Sequence, residues 1–161
     1  GASFETKTES WNGTNWTEVN DMNTARRNAG GNGITTSGLA YSGQISPGTS
    51  TDTESWNGTN WTEVNNMNAG RQGLVGVGSA GNTAALAIGG ETTPGADQAS
   101  TEEWNGVSWV EVADLSTARA YLGGAGTYTA GIVMGGNTGS VSAATEEWSG
   151  SSTTTKTIST D

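Results

Sequence analysis

The sequence predicts an all-β fold built from repeated four-stranded units. Three observations lead to this prediction. The phrase Trp-Asn-Gly recurs at 11–13, 56–58 and 104–106. Short segments carry apolar residues at every second position, which is the period of a β-strand. Finally, no stretch of ten residues shows the periodicity of an amphipathic helix.

The repeat is regular along nearly the whole chain. Residues 11–19 and 56–64 both read WNGTNWTEV, and residues 104–112 read WNGVSWVEV. A fourth copy starts at Trp148, so that the leading Trp residues are 45, 48 and 44 residues apart. Matching at so many fixed offsets predicts a repeat array rather than a low-complexity segment.

Four strands are predicted in each unit. The first follows an Arg and has Gly residues at alternate positions. The second is apolar, as in 83–90, where Leu86 and Ile88 share one face. The third leads into Thr-Glu-x-Trp and the fourth is Trp-x-Glu-Val, with Asn-Gly between them as a strong hairpin signal. The recurring Arg residues are Arg26, Arg71 and Arg119.

These strands divide a single predicted repeat domain, 1–161, into a half unit and three full units. The half unit, 1–22, contains only a third and a fourth strand, and the full units cover 23–67, 68–115 and 116–161. The last unit lacks the second Trp and ends in TTTKTISTD, which predicts an atypical outer strand.

Four-stranded units of this length are typical of β-propeller blades, with a β-trefoil as the alternative. About fourteen strands make three and a half blades, whereas closed propellers have about 4–8 whole ones. We therefore expect a partial propeller, or one completed by identical chains or by flanking sequence. Either completion is expected to bury the region around Phe4 to Trp11.

Fixed positions in the repeat predict structural roles. Trp16, Trp61 and Trp109 have the same phase in their units, so we expect them to be buried between blades. The alternating Gly residues allow the innermost strands to crowd near a central axis. On their strands Glu54 shares a face with Trp56, and Glu63 shares a face with Trp61, and an Arg at each strand entrance is expected to pair with such a Glu.

The motifs resemble Kelch repeats. In the Kelch pattern, a run ending in Gly-Gly is followed by an aromatic residue, then a Trp, then an Arg that leads into the next inner strand. The matching residues here are, in order, Gly89, Gly90, Trp104, Trp109 and Arg119.

The first full unit departs from this pattern, since Ser42 and Gly43 replace Gly-Gly, and Trp stands where Kelch repeats usually have Tyr. The resemblance implies a β-propeller. The phrases NTAR, GGAGT and TEEW are similar to Kelch-like arrays in virion and tail-associated proteins of aquatic bacteriophages and in secreted bacterial proteins. Because one fold can carry many functions, this resemblance constrains the architecture more than the activity.

Composition excludes several classes of function. The net charge of −10 opposes binding to nucleic acid or to anionic membrane surfaces. Without Cys or His there are no thiolate nucleophiles, no His bases and no ordinary zinc, copper or haem ligands. The carboxylates recur at the same phase in each unit, which argues against a glycosidase pair. We expect no catalytic residues, no cofactor and no membrane insertion.

The candidate binding residues lie in variable loops and in the last unit. Loops 44–52, 91–99 and 137–143 differ in sequence, and they are expected on the same face as the Arg-bearing connections. Glu91 and Asp97 flank a turn in one of them and are candidate ligands, for example for Ca²⁺. Trp148 is the Trp that we expect to be most exposed, as a platform for a sugar ring.

These patterns favour a non-enzymatic structural or adhesion module of an extracellular or virion-surface assembly, of the tail, fibre or capsid-decorating type. The alternative is a glycan-binding propeller lectin. The expected partners are identical chains or other virion and surface proteins, with a cell-surface glycan as a further candidate.

Overall fold

The computed structural model describes residues 3–79, 81–93 and 95–150, and the backbone of Lys156–Ile158. No helix occurs in these residues, which confirms the predicted all-β class. The strands are β1 (Thr8–Trp11), β2 (Trp16–Val19), β3 (Gly30–Ile34), β4 (Ser37–Tyr41), β5 (Gln44–Ile45), β6 (Gly48–Thr49), β7 (Thr53–Trp56), β8 (Trp61–Val64), β9 (Val75–Gly78), β10 (Ala85–Ile88), β11 (Glu91–Thr92), β12 (Ala96–Asp97), β13 (Thr101–Trp104), β14 (Trp109–Val112), β15 (Gly123–Thr127), β16 (Ala130–Met134), β17 (Thr145–Trp148) and β18 (Lys156–Ile158).

Three sheets have four strands each, and within each sheet the antiparallel strands lie side by side in chain order. We call them unit 1 (β3, β4, β7, β8), unit 2 (β9, β10, β13, β14) and unit 3 (β15, β16, β17, β18). Strands β1 and β2 pair with each other and form the half unit. The predicted atypical strand near the end of the sequence contributes β18, which pairs with β17.

The Asn-Gly signals lie in the turns between third and fourth strands. The side-chain oxygen of Asn12 accepts hydrogen bonds from the backbone N–H groups of Thr14 and Asn15, both at 2.9 Å. Asn57 and Asn105 do the same in units 1 and 2. Each Gly that follows these Asn residues has a positive φ, a conformation that Gly adopts without strain. These Asn residues therefore serve turn chemistry.

The inner strands of neighbouring units approach closely because Gly removes their side chains. A Cβ atom on Gly76 of β9 would collide with the carbonyl oxygen of Gly31 in β3 and with the Tyr41 hydroxyl. A Cβ on Gly124 of β15 would lie 2.9 Å from Cγ2 of Val75. The predicted close approach of these Gly-rich strands is confirmed at both junctions.

The core lies between units, and strand β10 contributes to both of its parts. Ala85 and Ala87 face unit 1 and pack with Leu39, Tyr41 and Trp109. On its other face, β10 contributes to a second cluster at unit 3, whose buried members are Val77, Leu86, Ile88, Leu115, Leu122 and Val133. The two faces follow from the two-residue period of the strand.

The prediction of buried Trp residues holds for unit 2 and is wrong for the half unit. Trp109 is 5% exposed, Trp61 is half-buried, and Trp16 is 63% exposed. The exposure of each Trp depends on whether a preceding unit lies beside it. The indole of Trp109 reaches Thr53 in unit 1 and that of Trp61 reaches Thr8 in the half unit. No earlier unit lies beside Trp16 in the described residues.

Candidate functional site

Three short loops between second and third strands gather at one edge of the sheets. They are the β5–β6 hairpin (44–49), the β11–β12 hairpin (91–97) and the turn 137–141, and we call them together the loop face. Each loop is bridged to the connection that enters the first strand of its own unit. The three bridges join Arg27 to Gln44, Gln72 to Glu91 and Ala120 to Asn137. The variable loops therefore lie on the same face as the Arg-bearing connections, as the sequence predicted.

A chain of backbone hydrogen bonds runs along the loop face from unit to unit. The N–H of Gly73 donates to the carbonyl of Asn28 at 2.9 Å, and the N–H of Tyr121 donates to the carbonyl of Gly73 at 2.7 Å. All three residues have a positive φ, between 52° and 60°. Because Asn and Tyr adopt this conformation at some cost, the surrounding contacts must hold it.

Buried ion pairs hold these connections in place. An Arg two residues before each positive-φ position contacts a Glu of the third strand, at nitrogen-to-oxygen distances of 2.7, 2.7 and 2.9 Å. Each Glu also accepts backbone N–H groups from the connection itself. The predicted Arg–Glu pairing is thereby confirmed. The pairs are Arg26–Glu54, Arg71–Glu102 and Arg119–Glu146.

Glu91 is the centre of a polar cluster on the loop face. Its carboxylate accepts hydrogen bonds from Gln72 Nε2 at 2.9 Å and from the Tyr121 hydroxyl at 2.8 Å. Asp97 lies directly opposite Glu91 across the β11–β12 hairpin. Partial burial, and then the hydrogen bond to Glu91, raise the pKa of Tyr121 above its ordinary value near 10. Its hydroxyl is therefore a donor at neutral pH and well into the alkaline range. Tyr121 as a whole residue is 52% exposed.

Trp148 lies away from this cluster, at the opposite end of its strand. It is half-buried, and its indole N–H donates to the carbonyl of Tyr128 at 2.9 Å. Trp56 and Trp104 make the same type of contact in units 1 and 2. The expectation that Trp148 is the most exposed Trp is wrong, since Trp16 is more exposed and has no neighbour on its preceding side.

Of the three candidate residues from the sequence, Glu91 and Asp97 lie together on the loop face, and Trp148 lies elsewhere. Sequence reasoning missed Tyr121 and Gln72, which complete the cluster. The signal for Tyr121 was its position two residues after a recurring Arg, but the residue type at this offset differs in every unit. No group of three acidic, His or Cys side chains is close enough to hold a metal ion in the described part of the chain.

The sequence matches no protein-family model and no curated protein. Within the described residues, no helix is long and apolar enough to cross a membrane.

Proposed function

We propose that this chain is a non-enzymatic structural or adhesion module of an extracellular or virion-surface assembly, and that the loop face contacts its target. The observation that carries this proposal is the alignment of three different loops over a repeated frame. The bridges to Gln44, Glu91 and Asn137 occupy equivalent positions, whereas the loops themselves differ in length and sequence. A rigid scaffold with variable loops is a common arrangement for binding.

We further propose that the units are blades of a Kelch-like β-propeller. Two observations support a propeller over a β-trefoil. The units are separate four-stranded sheets that pair in simple chain order. The inner strands of successive units also crowd together, since β9 contacts β3 on one side and β15 on the other. Blades that wind around one axis narrow toward their inner strands.

The role of the carboxylates supports a non-enzymatic function. Glu54, Glu102 and Glu146 are buried at equivalent positions, and each is held by an Arg and by backbone N–H donors. Because these carboxylates are buried and already occupied by protein donors, a substrate could not reach them. The partners that we propose are identical chains or other surface proteins, for which a repeated frame offers several similar contact points.

A surface-binding assay tests this proposal. Labelled chain is incubated with fixed bacterial cells of several species, and the retained fraction is compared between variants. Glu91→Ala combined with Tyr121→Ala is expected to reduce retention at least tenfold. The matched control, Thr14→Ala with Val107→Ala, changes two exposed turn positions at the opposite end of the strands and should leave retention within twofold. Equal retention of both double variants would contradict a binding role for the loop face.

Glycan binding is the second candidate function, and the Glu91 cluster favours it. An exposed aromatic ring with carboxylates beside it can pack against sugar C–H groups and accept hydrogen bonds from hydroxyls. Titration with neutral and acidic mono- and disaccharides, followed by Tyr and Trp fluorescence, separates the two candidates. A saturable response that Tyr121→Ala weakens supports a lectin, and the absence of any response supports the structural role.

A further inference from the structure

The half unit has a free strand edge within the described residues. In unit 2 the third strand, β13, pairs with β10 on one side and β14 on the other, whereas β1 pairs with β2 alone. The N–H of Asn12 donates to the carbonyl of Asn15 and closes the turn. Because hydrogen-bonded pairs alternate along an antiparallel ladder, the backbone groups of Glu9 and Trp11 point away from β2.

A groove of about 330 Å³ lies between this half unit and unit 1. In the full units the corresponding space is filled, since inner strands of neighbouring units contact each other. Here Trp11 and Ile34 stay 43% and 53% exposed. The residues that line the groove include Thr8, Ser10 and Trp11 of the half unit and Asn32, Ile34 and Trp56 of unit 1.

Glu9 shows which charge the missing neighbour would carry. It has the same repeat position as three buried Glu residues that are 1–2% exposed, each in contact with the Arg that leads into the inner strand of its unit. Glu9 itself is exposed and makes no ion pair among the described residues. Its carboxylate is therefore positioned for an Arg that none of the described units provides.

We propose that this groove binds a Gly-rich β-hairpin led by an Arg, of the same sequence type as 68–90, from a polypeptide segment outside these 161 residues. The second strand of the hairpin adds to the free edge of β1, and its Arg reaches the Glu9 carboxylate. This interaction surface is distinct from the loop face.

Three features of the site select this occupant. The free N–H and C=O groups of β1 match an added strand, and the repeat position of Glu9 matches an Arg. Gly residues mediate the close approach of inner strands at the other two junctions, so the occupant is expected to be Gly-rich as well. A second copy of the chain is a poor source, because its own inner hairpins are already paired within units 1, 2 and 3. Using one of them would require its sheet to open.

The test is amide hydrogen exchange of the intact chain, measured by NMR with a synthetic peptide of residues 68–90. At saturation we expect the N–H groups of Glu9 and Trp11 to exchange at least tenfold more slowly. The same alternation directs the N–H groups of Thr8 and Ser10 toward β2, so their exchange should change little and serves as an internal control.

Matched variants test the Arg–Glu contact. Glu9→Gln in the chain, or Arg71→Gln in the peptide, should each weaken peptide affinity at least tenfold. Glu18→Gln removes the same charge from the residue opposite Glu9 on β2 and should change affinity less than twofold. Equal affinity for all of these variants would overturn the proposal.

A fusion that places residues 68–92 before Gly1 covers the case in which the free peptide does not fold. We expect the fusion to slow exchange at Glu9 and Trp11 and to lose this protection with Glu9→Gln. The proposal is overturned if neither peptide nor fusion protects these amides. It is also overturned if the unmodified chain self-associates at micromolar concentration with the same amides protected, since a second copy then fills the groove.

Discussion

The indole N–H of Trp109 donates to the hydroxyl of Thr53 at 2.9 Å, across the junction between units 2 and 1. Trp61 makes the same contact with Thr8 at 3.0 Å, across the junction between unit 1 and the half unit. The outer strand of one unit is thus tied to the third strand of the unit before it. Burial of each Trp in this series depends on that preceding unit.

Truncation of Trp109 should therefore be far more costly than truncation of Trp16. We expect Trp109→Ala to lower the free energy of unfolding by about 3–5 kcal/mol, the usual range for a buried Trp. Trp16→Ala should change it by less than about 1 kcal/mol, because the side chain is 63% exposed. Urea unfolding followed by circular dichroism gives both values, and similar losses for the two variants would show that the junction contact is unimportant.

The buried ion pairs give a second prediction. Glu102→Ala leaves the fully buried Arg71 without its carboxylate, which we expect to cost about 3–5 kcal/mol of unfolding free energy. Glu9→Ala, at the same repeat position in the half unit, should cost less than about 0.5 kcal/mol because Glu9 is exposed.

The double variant Arg71→Met, Glu102→Leu is the control for this ion pair. We expect it to recover most of the stability lost in Glu102→Ala, since an apolar pair leaves no buried charge. A double variant as unstable as the single one would show that the hydrogen bonds of Arg71 to backbone carbonyls, rather than its charge, stabilise this position.

The crowding of inner strands gives a third prediction. Gly76→Ala places a methyl group against the backbone of Gly31 and the hydroxyl of Tyr41, and we expect a loss of about 1–3 kcal/mol. Gly123→Ala is the control, because its nearest neighbour, a Met134 side-chain atom, lies 3.4 Å from the added Cβ. Thermal unfolding should separate the two variants clearly, and a stable Gly76→Ala protein would contradict close packing of β3 and β9.

Tyr41 predicts how stability depends on pH. It is fully buried and donates to the carbonyl of Leu86 at 3.2 Å, and burial raises its pKa well above the ordinary value near 10, against the opposing charge of Arg71. Below pH 10 the folded and unfolded states both hold the proton. Above it the unfolded state loses the proton first, so the free energy of unfolding falls by up to about 1.4 kcal/mol per pH unit.

Tyr41→Phe should remove most of this slope between pH 10 and 11.5, measured by urea unfolding at several pH values. Tyr121→Phe is the matched control, because Tyr121 is half exposed and should contribute a smaller part of the slope. The same alkaline slope in wild type and Tyr41→Phe would show that Tyr41 does not hold its proton in the folded state.

Repetition made the all-β class predictable, and the ion pairs in part. Arg71 and Glu102 keep fixed offsets from the Trp residues of their unit, so an Arg–Glu pair was expected, but the sequence left open whether the third or the fourth strand supplies the Glu. The same reasoning failed for Trp16, because phase predicts where a side chain points and not whether a neighbouring unit covers it. Burial at the ends of an array depends on the next unit, which the repeat pattern itself does not supply.

The loop face was only partly predictable. Its position followed from the alternation of antiparallel strands, and Glu91 and Asp97 were singled out by their turn. The contact between Tyr121 and Glu91 joins residues of different units, 30 positions apart, so it required the packing of unit 3 against unit 2. The positive φ shared by Asn28, Gly73 and Tyr121 could not be predicted, because three different residue types occupy this position in the three units.

The central claim is that the units wind around one axis and so present the three loops on one face. Distances between spin labels test it directly, since the chain has no native Cys and accepts labels on Thr17→Cys, Thr62→Cys and Val110→Cys, made in pairs. These positions lie in the fourth strands of the half unit, unit 1 and unit 2.

We expect the distance from position 17 to position 110 to be about 0.7–0.9 of the sum of the two distances between neighbouring units, as for about 4–8 blades around an axis. Pulsed electron paramagnetic resonance measures all three distances. A distance equal to the sum would show a straight stack of units, and three equal distances would show a threefold β-trefoil. Either result would contradict the propeller.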